Sequence, residues 1–158
     1  MNFKKELLVL SVLLMVVLAG CHHNATEMTN VEIVKNTYEG GSSEENGKYL
    51  EQYLAPDAKW TEAAGFPYGG TYTGFEEIRK NVFDRLASEW LNYKFEPEGY
   101  VGQGDKVVAY GTYSGTYKET GKHFKARVAH IWTLKEGKIV NFEQFVDSTP
   151  VRDAMTNE

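Results

Sequence analysis

The repeat of apolar residues changes along this chain, from helical spacing in the first part to alternation in the last. Between residues 74 and 91 the apolar side chains form one stripe at helical spacing and charged side chains occupy the other side, which predicts an amphipathic helix. Beyond Asn92 apolar residues recur at every second position in segments rich in Val, Tyr, Phe, Thr and Ile, which predicts strands. Helices followed by strands indicate the α+β class, with helices packed on one face of an antiparallel sheet.

Two shorter helices are predicted before the long one. Thr29 and Glu32 have the spacing of a capping box, which predicts the start of a first helix, and the glycine pair at 40–41 ends it. Apolar residues between 49 and 54 recur at helical spacing and predict a second helix that Pro56 closes.

The strand segments are separated by short polar connections that contain glycine. The predicted strands are 57–64, 93–102, 107–117, 123–134 and 138–146. The connections at 119–122 and 135–137 are typical of hairpins between antiparallel strands. Gly111 and Gly115 weaken a strand unless the sheet bends there, so we expect a strongly curved sheet with a cavity on its concave face.

The beginning of the chain has the pattern of a secretory signal. Residues 1–20 start with basic side chains, continue with an uncharged apolar run at 7–18 that is short for a membrane-spanning helix, and end with small residues. Leu-Ala-Gly-Cys at 18–21 resembles a bacterial lipobox, in which Cys21 is lipidated and becomes the first residue after cleavage. We expect 21–28 to be a lipidated cysteine and polar tether that holds the protein in the cell envelope, facing away from the cytoplasm. The alternative is an ordinary signal with a cysteine there by chance.

Charge and cysteine content exclude several classes of function. The chain has 17 basic and 22 acidic residues, a net charge of −5, and no cluster of Lys or Arg, so nucleic acid is not an expected partner. A single cysteine excludes an intrachain disulfide and a multi-cysteine metal site. We predict no metal site and no cofactor.

Six short stretches, in this order and spacing, resemble one known family. They are DAKW at 57–60, GTYTG at 70–74, TGKHF at 120–124, AHIWTL at 129–134, GKIV at 137–140 and FEQFVD at 142–147. The family is the SnoaL-like, ketosteroid-isomerase-related group of the nuclear transport factor 2-like superfamily, and we assign it to residues 29–158. The resemblance implies a cone-shaped barrel, a curved antiparallel sheet wrapped around three N-terminal helices, with a pocket at one end. It also implies pairing as a homodimer through the sheet.

Acid–base chemistry on this fold needs a titrating group inside the pocket, within about 3 Å of the proton it moves. His130 lies in the middle of a strand on the same face as Trp132, and a histidine there can titrate near neutral pH. Asp147 ends the last strand and is a second catalytic candidate, as a base or as a partner of His130. The alternatives are a half-buried structural histidine and an aspartate that caps the turn at 148–155.

Five further residues are candidates for binding a ligand. They are Trp60, Tyr68, Tyr113, Trp132 and Gln144. Trp60 and Tyr68 flank a glycine-rich loop predicted at the cavity mouth, Tyr113 could present its phenol to an oxyanion, and Gln144 could bond a ligand carbonyl but cannot act as a base. The alternative for the aromatic residues is that they fill the core.

These features support three hypotheses for the function. The first is a lipoprotein whose domain binds a small, partly apolar ligand in its cone-shaped pocket. The second is an acid–base enzyme of the isomerase or polyketide-cyclase type that uses His130. The third is a dimeric interaction module that uses the outer sheet face. The resemblance implies a fold that hosts several kinds of enzyme as well as proteins that only bind, so the side chains inside the pocket have to distinguish the hypotheses.

Overall fold

The computed structural model describes residues 28–157, and the predicted signal segment and Cys21 lie outside the described residues. Within the described range, no helix combines the length and the apolar character that crossing a membrane requires. The described chain forms α-helices, one π-helical turn and a single sheet of six strands.

The chain forms five short α-helices and one π-helical turn within the described residues, and side-chain oxygens cap the first two helices. The helical elements are α1 Asn30–Asn36, α2 Ser43–Tyr53, α3 Gly74–Ile78, the π-helical turn Arg79–Phe83, α4 Asp84–Glu89 and α5 Thr149–Ala154. The predicted capping box is confirmed, because Thr29 Oγ1 accepts from the Glu32 N–H and the Glu32 carboxylate accepts from the Thr29 N–H. The second helix begins earlier than predicted, since Ser42 caps it by accepting from the Glu45 N–H.

The third predicted helix is one continuous helical stretch whose repeat changes in its middle. The Asp84 N–H donates to the carbonyl of Arg79, five residues back, which defines the π-helical turn. The stretch ends at Glu89 because Trp90 is already extended and begins the next strand. Turns of this kind are frequent at functional sites, and this one borders the cavity described below.

The strands form one curved, open sheet. They are β1 Leu54–Glu62, β2 Gly70–Thr73, β3 Trp90–Gln103, β4 Lys106–Tyr117, β5 His123–Lys135 and β6 Lys138–Val146. Their order is β2-β1-β6-β5-β4-β3. The α+β class and the curvature are confirmed. The sheet is mixed rather than wholly antiparallel, because β1 and β6 run parallel, with all the other strands between them in the sequence. The sheet also stays open and does not close into a barrel.

The glycines expected to bend the sheet lie where β3 and β4 approach closely. Gly111 pairs with Pro97, and a Cβ atom on Gly111 would overlap the carbonyl oxygen of Glu96. The register between the two strands shifts between Pro97 and Gly99. A Cβ atom on Gly115 would lie 3.3 Å from the backbone of β3. The missing side chains therefore allow the strands to curve toward the helices.

Two buried clusters cover the inner face of the sheet. The first contains Val34 of α1, Ile78 of α3 and inward side chains of the central strands. The second contains Trp90, Phe124 and Val151, the last contributed by α5, which packs against β5. Between the helices and this inner face lies the cavity that the sequence predicts.

Candidate functional site

The cavity between the helices and the concave sheet face has a volume of about 580 Å³. Aromatic and aliphatic side chains make up most of its wall, and Trp60 stacks on Phe142 with ring centroids 3.7 Å apart. Five of the polar side chains on the wall are those of Tyr38 and of residues in β1, β4, β5 and β6. They are Tyr38, Glu62, Tyr113, His130 and Gln144. A cavity of this size with few polar groups is typical of a small-molecule site.

Five of the seven pocket residues named from the sequence lie on the cavity wall. They are Trp60, Tyr113, His130, Trp132 and Gln144. Alternation along β5 turns His130 and Trp132 inward, and β4 and β6 turn Tyr113 and Gln144 toward the same space. The strands β1, β4, β5 and β6 therefore bring these five side chains together.

Asp147 and Tyr68 do not belong to this wall, which corrects the prediction for both. Asp147 is exposed beyond the end of β6, and its Oδ1 accepts from the Thr149 N–H at 3.3 Å, which is the local capping role considered as its alternative. Tyr68 is buried in the second cluster. Its hydroxyl donates to Glu89 Oε2 at 2.7 Å and accepts from the Trp90 indole N–H at 2.7 Å.

His130 is buried, with 2% of its surface exposed, and both ring nitrogens are hydrogen-bonded. The Tyr38 hydroxyl lies 2.5 Å from Nδ1 and the Tyr113 hydroxyl lies 2.6 Å from Nε2. Burial lowers the pKa of His130 to about 3, because the charged imidazolium loses its hydration. The expectation that this histidine titrates near neutral pH is therefore wrong, and the ring is neutral at physiological pH.

The amide of Gln144 is also occupied. Its Oε1 accepts from the backbone N–H of Ala63 at 3.2 Å, and its Nε2 lies 3.4 Å from the Tyr113 hydroxyl. Gln144 therefore joins the end of β1 to the tyrosine and histidine pair. The structure gives it internal partners in place of the ligand carbonyl that the sequence suggested.

Glu62 is the functional candidate that the sequence reasoning missed. It is the last residue of β1, and strand alternation places it on the inward face with Ala58 and Trp60. Only 3% of Glu62 is exposed. Its Oε1 accepts from the Trp60 indole N–H at 2.7 Å, while Oε2 has no hydrogen-bond partner. The same alternation in the predicted strand 57–64 would have located it.

Burial moves the pKa values of the polar side chains in the cavity. Loss of hydration raises the pKa of Glu62 to about 7, and the bond from Trp60 offsets a part of this rise. Burial also raises the pKa of Tyr38 well above its usual value and raises that of Tyr113. The two phenols are therefore neutral hydrogen-bond donors and acceptors, whereas Glu62 changes its charge near neutral pH.

Three buried side-chain atoms of the described residues 28–157 lack a hydrogen-bond partner, and all three belong to residues of the cavity wall. They are Glu62 Oε2, the Tyr93 hydroxyl and Trp132 Nε1. Buried polar atoms are nearly always paired, so unpaired ones gathered around one cavity indicate a place where a polar group of a ligand or water is bound. Within the same residues no cluster of three or more metal-ligating side chains occurs.

The cavity lies in a chain that is similar to several solved structures. It is 45% identical to an NTF2-like protein from Burkholderia thailandensis, over 82% of this chain and 98% of that chain, with a TM-score of 0.77. A candidate SnoaL-like polyketide cyclase from Mesorhizobium loti is 25% identical over 75% of this chain and 99% of that chain, with a TM-score of 0.63. TerC, co-crystallised with polyporic acid, is 22% identical over 80% of this chain and 97% of that chain, with a TM-score of 0.69, and shares the fold.

The family comparison covers most of the described domain. No curated protein matches the chain. The model of the SnoaL-like domain matches residues 34–142, a range that runs from the end of α1 into β6 and contains every residue of the cavity wall except Gln144. The chain therefore belongs to the SnoaL-like domain family, within the nuclear transport factor 2-like superfamily.

Proposed function

We propose that this domain binds a small, mainly apolar molecule in the cavity, with a polar group of that molecule next to Glu62. The observation that carries the proposal is the combination of an apolar hollow of about 580 Å³ with a buried carboxylate oxygen that lacks a partner. The hollow is within the range of about 300–1,000 Å³ that drug-sized ligands occupy. TerC, which shares the fold, was co-crystallised with polyporic acid, and this supports a small organic molecule as the ligand.

Native mass spectrometry of the protein purified from its own host tests this proposal. We expect a bound small molecule in the wild type. Ala87→Phe places a ring at the cavity wall and is expected to abolish the bound mass, whereas Ser88→Phe adds the same ring one residue away, outside the wall. A wild-type protein without a bound molecule, or equal loss in both variants, would contradict the proposal.

A second candidate function is proton transfer on the bound molecule, with Glu62 as the base in place of His130. The observation that favours it is the pKa of Glu62 near 7 together with the unpaired oxygen of this cavity-wall residue. A base works best when its pKa is near the working pH. Glu62 would take a proton from a carbon next to a carbonyl group. The C–H electron pair would form a carbon–carbon double bond as the carbonyl π pair moves to oxygen, and a neutral phenol of the wall would donate to the resulting enolate oxygen.

Deuterium exchange into the co-purified molecule tests this second function. In D2O, we expect the wild type to exchange the acidic C–H at a rate that Glu62→Gln lowers by at least about 100-fold, a usual size for loss of a general base. Glu143→Gln, which changes an exposed carboxylate of β6, is the matched control. Equal exchange rates in wild type and Glu62→Gln would exclude Glu62 as the base.

The outer face of the sheet supports the proposal of a homodimer. Large apolar side chains are exposed there on the two strands that flank β5, namely Tyr110 of β4 and Phe145 of β6. Ala129 of β5 pairs with both, so the three positions are adjacent. Sedimentation velocity is expected to show a dimer that Phe145→Lys dissociates, and a monomeric wild type at high concentration would contradict it.

We also propose that Cys21 carries a lipid and anchors the domain to the cell envelope. The support is the sequence pattern at 18–21. Growth with an alkyne fatty acid should label the wild type, and Cys21→Ser should lose both the label and the membrane fraction. An unlabelled wild type cleaved before residue 21 would indicate an ordinary signal.

A further inference from the structure

We propose that one backbone N–H group, that of Ala63, fixes the direction of a hydrogen-bond chain across the cavity. The chain ends at the Tyr38 hydroxyl and leaves the hydrogen of that hydroxyl for a ligand. Its intermediate members are Gln144, Tyr113 and His130. His130 and Gln144 are then positioning residues that orient Tyr38. The ligand class implied by this direction rests on the proposed function, whereas the direction itself does not.

The first step is the orientation of the Gln144 amide. A backbone N–H can only donate, so the Gln144 atom that lies 3.2 Å from Ala63 N must be the amide oxygen. The NH2 group then lies on the other side, 3.4 Å from the Tyr113 hydroxyl oxygen. Because an amide NH2 cannot accept, Tyr113 accepts from Gln144.

The second step is the direction of the bond between Tyr113 and His130. The Tyr113 hydroxyl has one hydrogen, and its acceptor at 2.6 Å is His130 Nε2. If Nε2 carried the ring hydrogen instead, the Tyr113 oxygen would accept twice and its own hydrogen would have to turn toward Tyr93. The Tyr93 hydroxyl influences the pKa of Tyr113 but makes no hydrogen bond to it by distance and angle. If Tyr113 donates to Nε2, the Tyr113 hydrogen and His130 Nε2 both have a partner, whereas the opposite arrangement leaves the Tyr113 hydrogen without one.

The third step is the Tyr38 hydroxyl. A neutral imidazole carries one hydrogen, so an Nε2 that accepts leaves Nδ1 as the donor to the Tyr38 oxygen at 2.5 Å. No member of this hydrogen-bond chain accepts the hydroxyl hydrogen of Tyr38. The Trp132 indole N–H lies close enough to lower the pKa of Tyr38, yet it makes no hydrogen bond by distance and angle. Tyr38 and Trp132 both line the cavity with ring centroids 5.8 Å apart, so two unused donors belong to this end of the cavity.

The ligand group at this end is consequently an acceptor oxygen, such as a carbonyl, and not a group that can only donate. The opposite direction of the chain would make the Tyr38 oxygen an acceptor and would favour a ligand hydroxyl or ammonium. Burial of His130 without a charged partner keeps the ring neutral in both cases, so the position of its single hydrogen reports the direction.

The ¹⁵N chemical shifts of the His130 ring in the full chain measure this position directly. We expect the Nδ1–H form, with Nε2 at the shift of an unprotonated, hydrogen-bonded nitrogen. The Nε2–H form in the wild type would overturn the proposal without any variant. Gln144→Met is nearly isosteric and removes the donor to Tyr113, so it should move the Nε2 resonance toward the protonated value. Asn141→Met, on the same strand outside the cavity wall, should not. An unchanged shift in Gln144→Met would show that Ala63 does not set the direction.

Two probes that share a phenyl ring and a two-carbon substituent test the ligand class. Acetophenone carries a carbonyl where ethylbenzene carries a methylene, and we expect the wild type to bind the ketone about tenfold more tightly, the effect of one buried hydrogen bond. Tyr38→Phe should lower this preference to about twofold or less. Equal binding of both probes to the wild type would overturn the ligand class. Binding of neither probe would contradict the proposed function, while the nitrogen shifts would still decide the direction of the chain.

Discussion

His130 and Glu62 lie in the same cavity and are buried to the same extent, but they differ in their hydrogen bonds. His130 has a tyrosine hydroxyl on each ring nitrogen, whereas Glu62 has one oxygen bonded to Trp60 and one that is free. Depth of burial therefore does not distinguish a structural group from a reactive one in this cavity. The number of unpaired atoms does, because only an unpaired atom can bond a ligand without first losing an internal partner.

Burial shifts the pKa of both groups for the same physical reason but in opposite directions. It disfavours the charged form, so it lowers the pKa of His130 to about 3 and raises that of Glu62 to about 7. Between these two values both side chains are uncharged. Above pH 7 Glu62 becomes an anion on the cavity wall, and this is the state that could take a proton from a ligand.

The largest expected effect is the loss of stability in acid that His130 causes. Its pKa in the folded state is lower than the 6.5 of the unfolded chain, so the stabilisation is complete above pH 6.5 and is lost as pH falls toward 3. A shift of this size corresponds to about 5 kcal/mol of unfolding free energy. Urea unfolding at a series of pH values should show a steeper loss in the wild type than in His130→Gln. His123→Gln, which removes an exposed histidine, should retain the wild-type slope.

Glu62 is expected to make the unfolding free energy depend on pH in the opposite direction from His130, and by a smaller amount. Its pKa in the folded state is higher than the 4.5 of the unfolded chain, so the stabilisation is complete below pH 4.5 and is lost as pH rises through 7. The loss amounts to about 3 kcal/mol. Glu62→Gln should therefore be more stable than the wild type at pH 8 and similar to it at pH 4. An equal effect of Glu62→Gln at both pH values would show that the carboxyl is not raised in pKa.

The fold follows from local patterns to a large extent, and the exceptions are contacts between distant parts of the chain. The capping box at Thr29, the strand periods and the bend at Gly111 are all local properties of the sequence. The parallel pairing of β1 with β6 and the π-helical turn are not. The pairing joins segments about eighty residues apart, and the turn depends on how the helix packs over the cavity.

The sequence predicts those residues of the candidate site whose inward direction follows from strand alternation alone. This rule placed His130 and Trp132 inside, and it applies equally to Glu62, two residues after Trp60. The Tyr38 partner of His130 could not be inferred, because Tyr38 lies 92 residues away, in the turn that follows α1, and reaches the ring through the packing of that helix on the sheet. The pKa of His130 depends on that packing, so the sequence could not supply it.

Tyr68 provides a third buried polar group that sharpens the comparison, since it is fully bonded like His130 but lies outside the cavity wall. Tyr68→Phe removes the acceptor of the Trp90 N–H and the donor to Glu89. We expect a loss of about 1–3 kcal/mol in unfolding free energy, because two partners are left unpaired. Binding of a cavity ligand should stay within about twofold of the wild type. A large loss of binding would show that the second cluster also controls the cavity.

Tyr93 is expected to show the smallest effect and tests the role of unpaired atoms most directly. Its hydroxyl is buried without a hydrogen bond, as Glu62 Oε2 is. Tyr93→Phe should change the unfolding free energy by no more than about 0.5 kcal/mol, because no internal bond is lost and no partner is left behind. Tyr113→Phe, in the bonded set, should cost about 1–2 kcal/mol. If Tyr93→Phe destabilised the protein as much as Tyr113→Phe, the hydroxyl of Tyr93 would have an internal partner, and only Glu62 and Trp132 would remain open to a ligand.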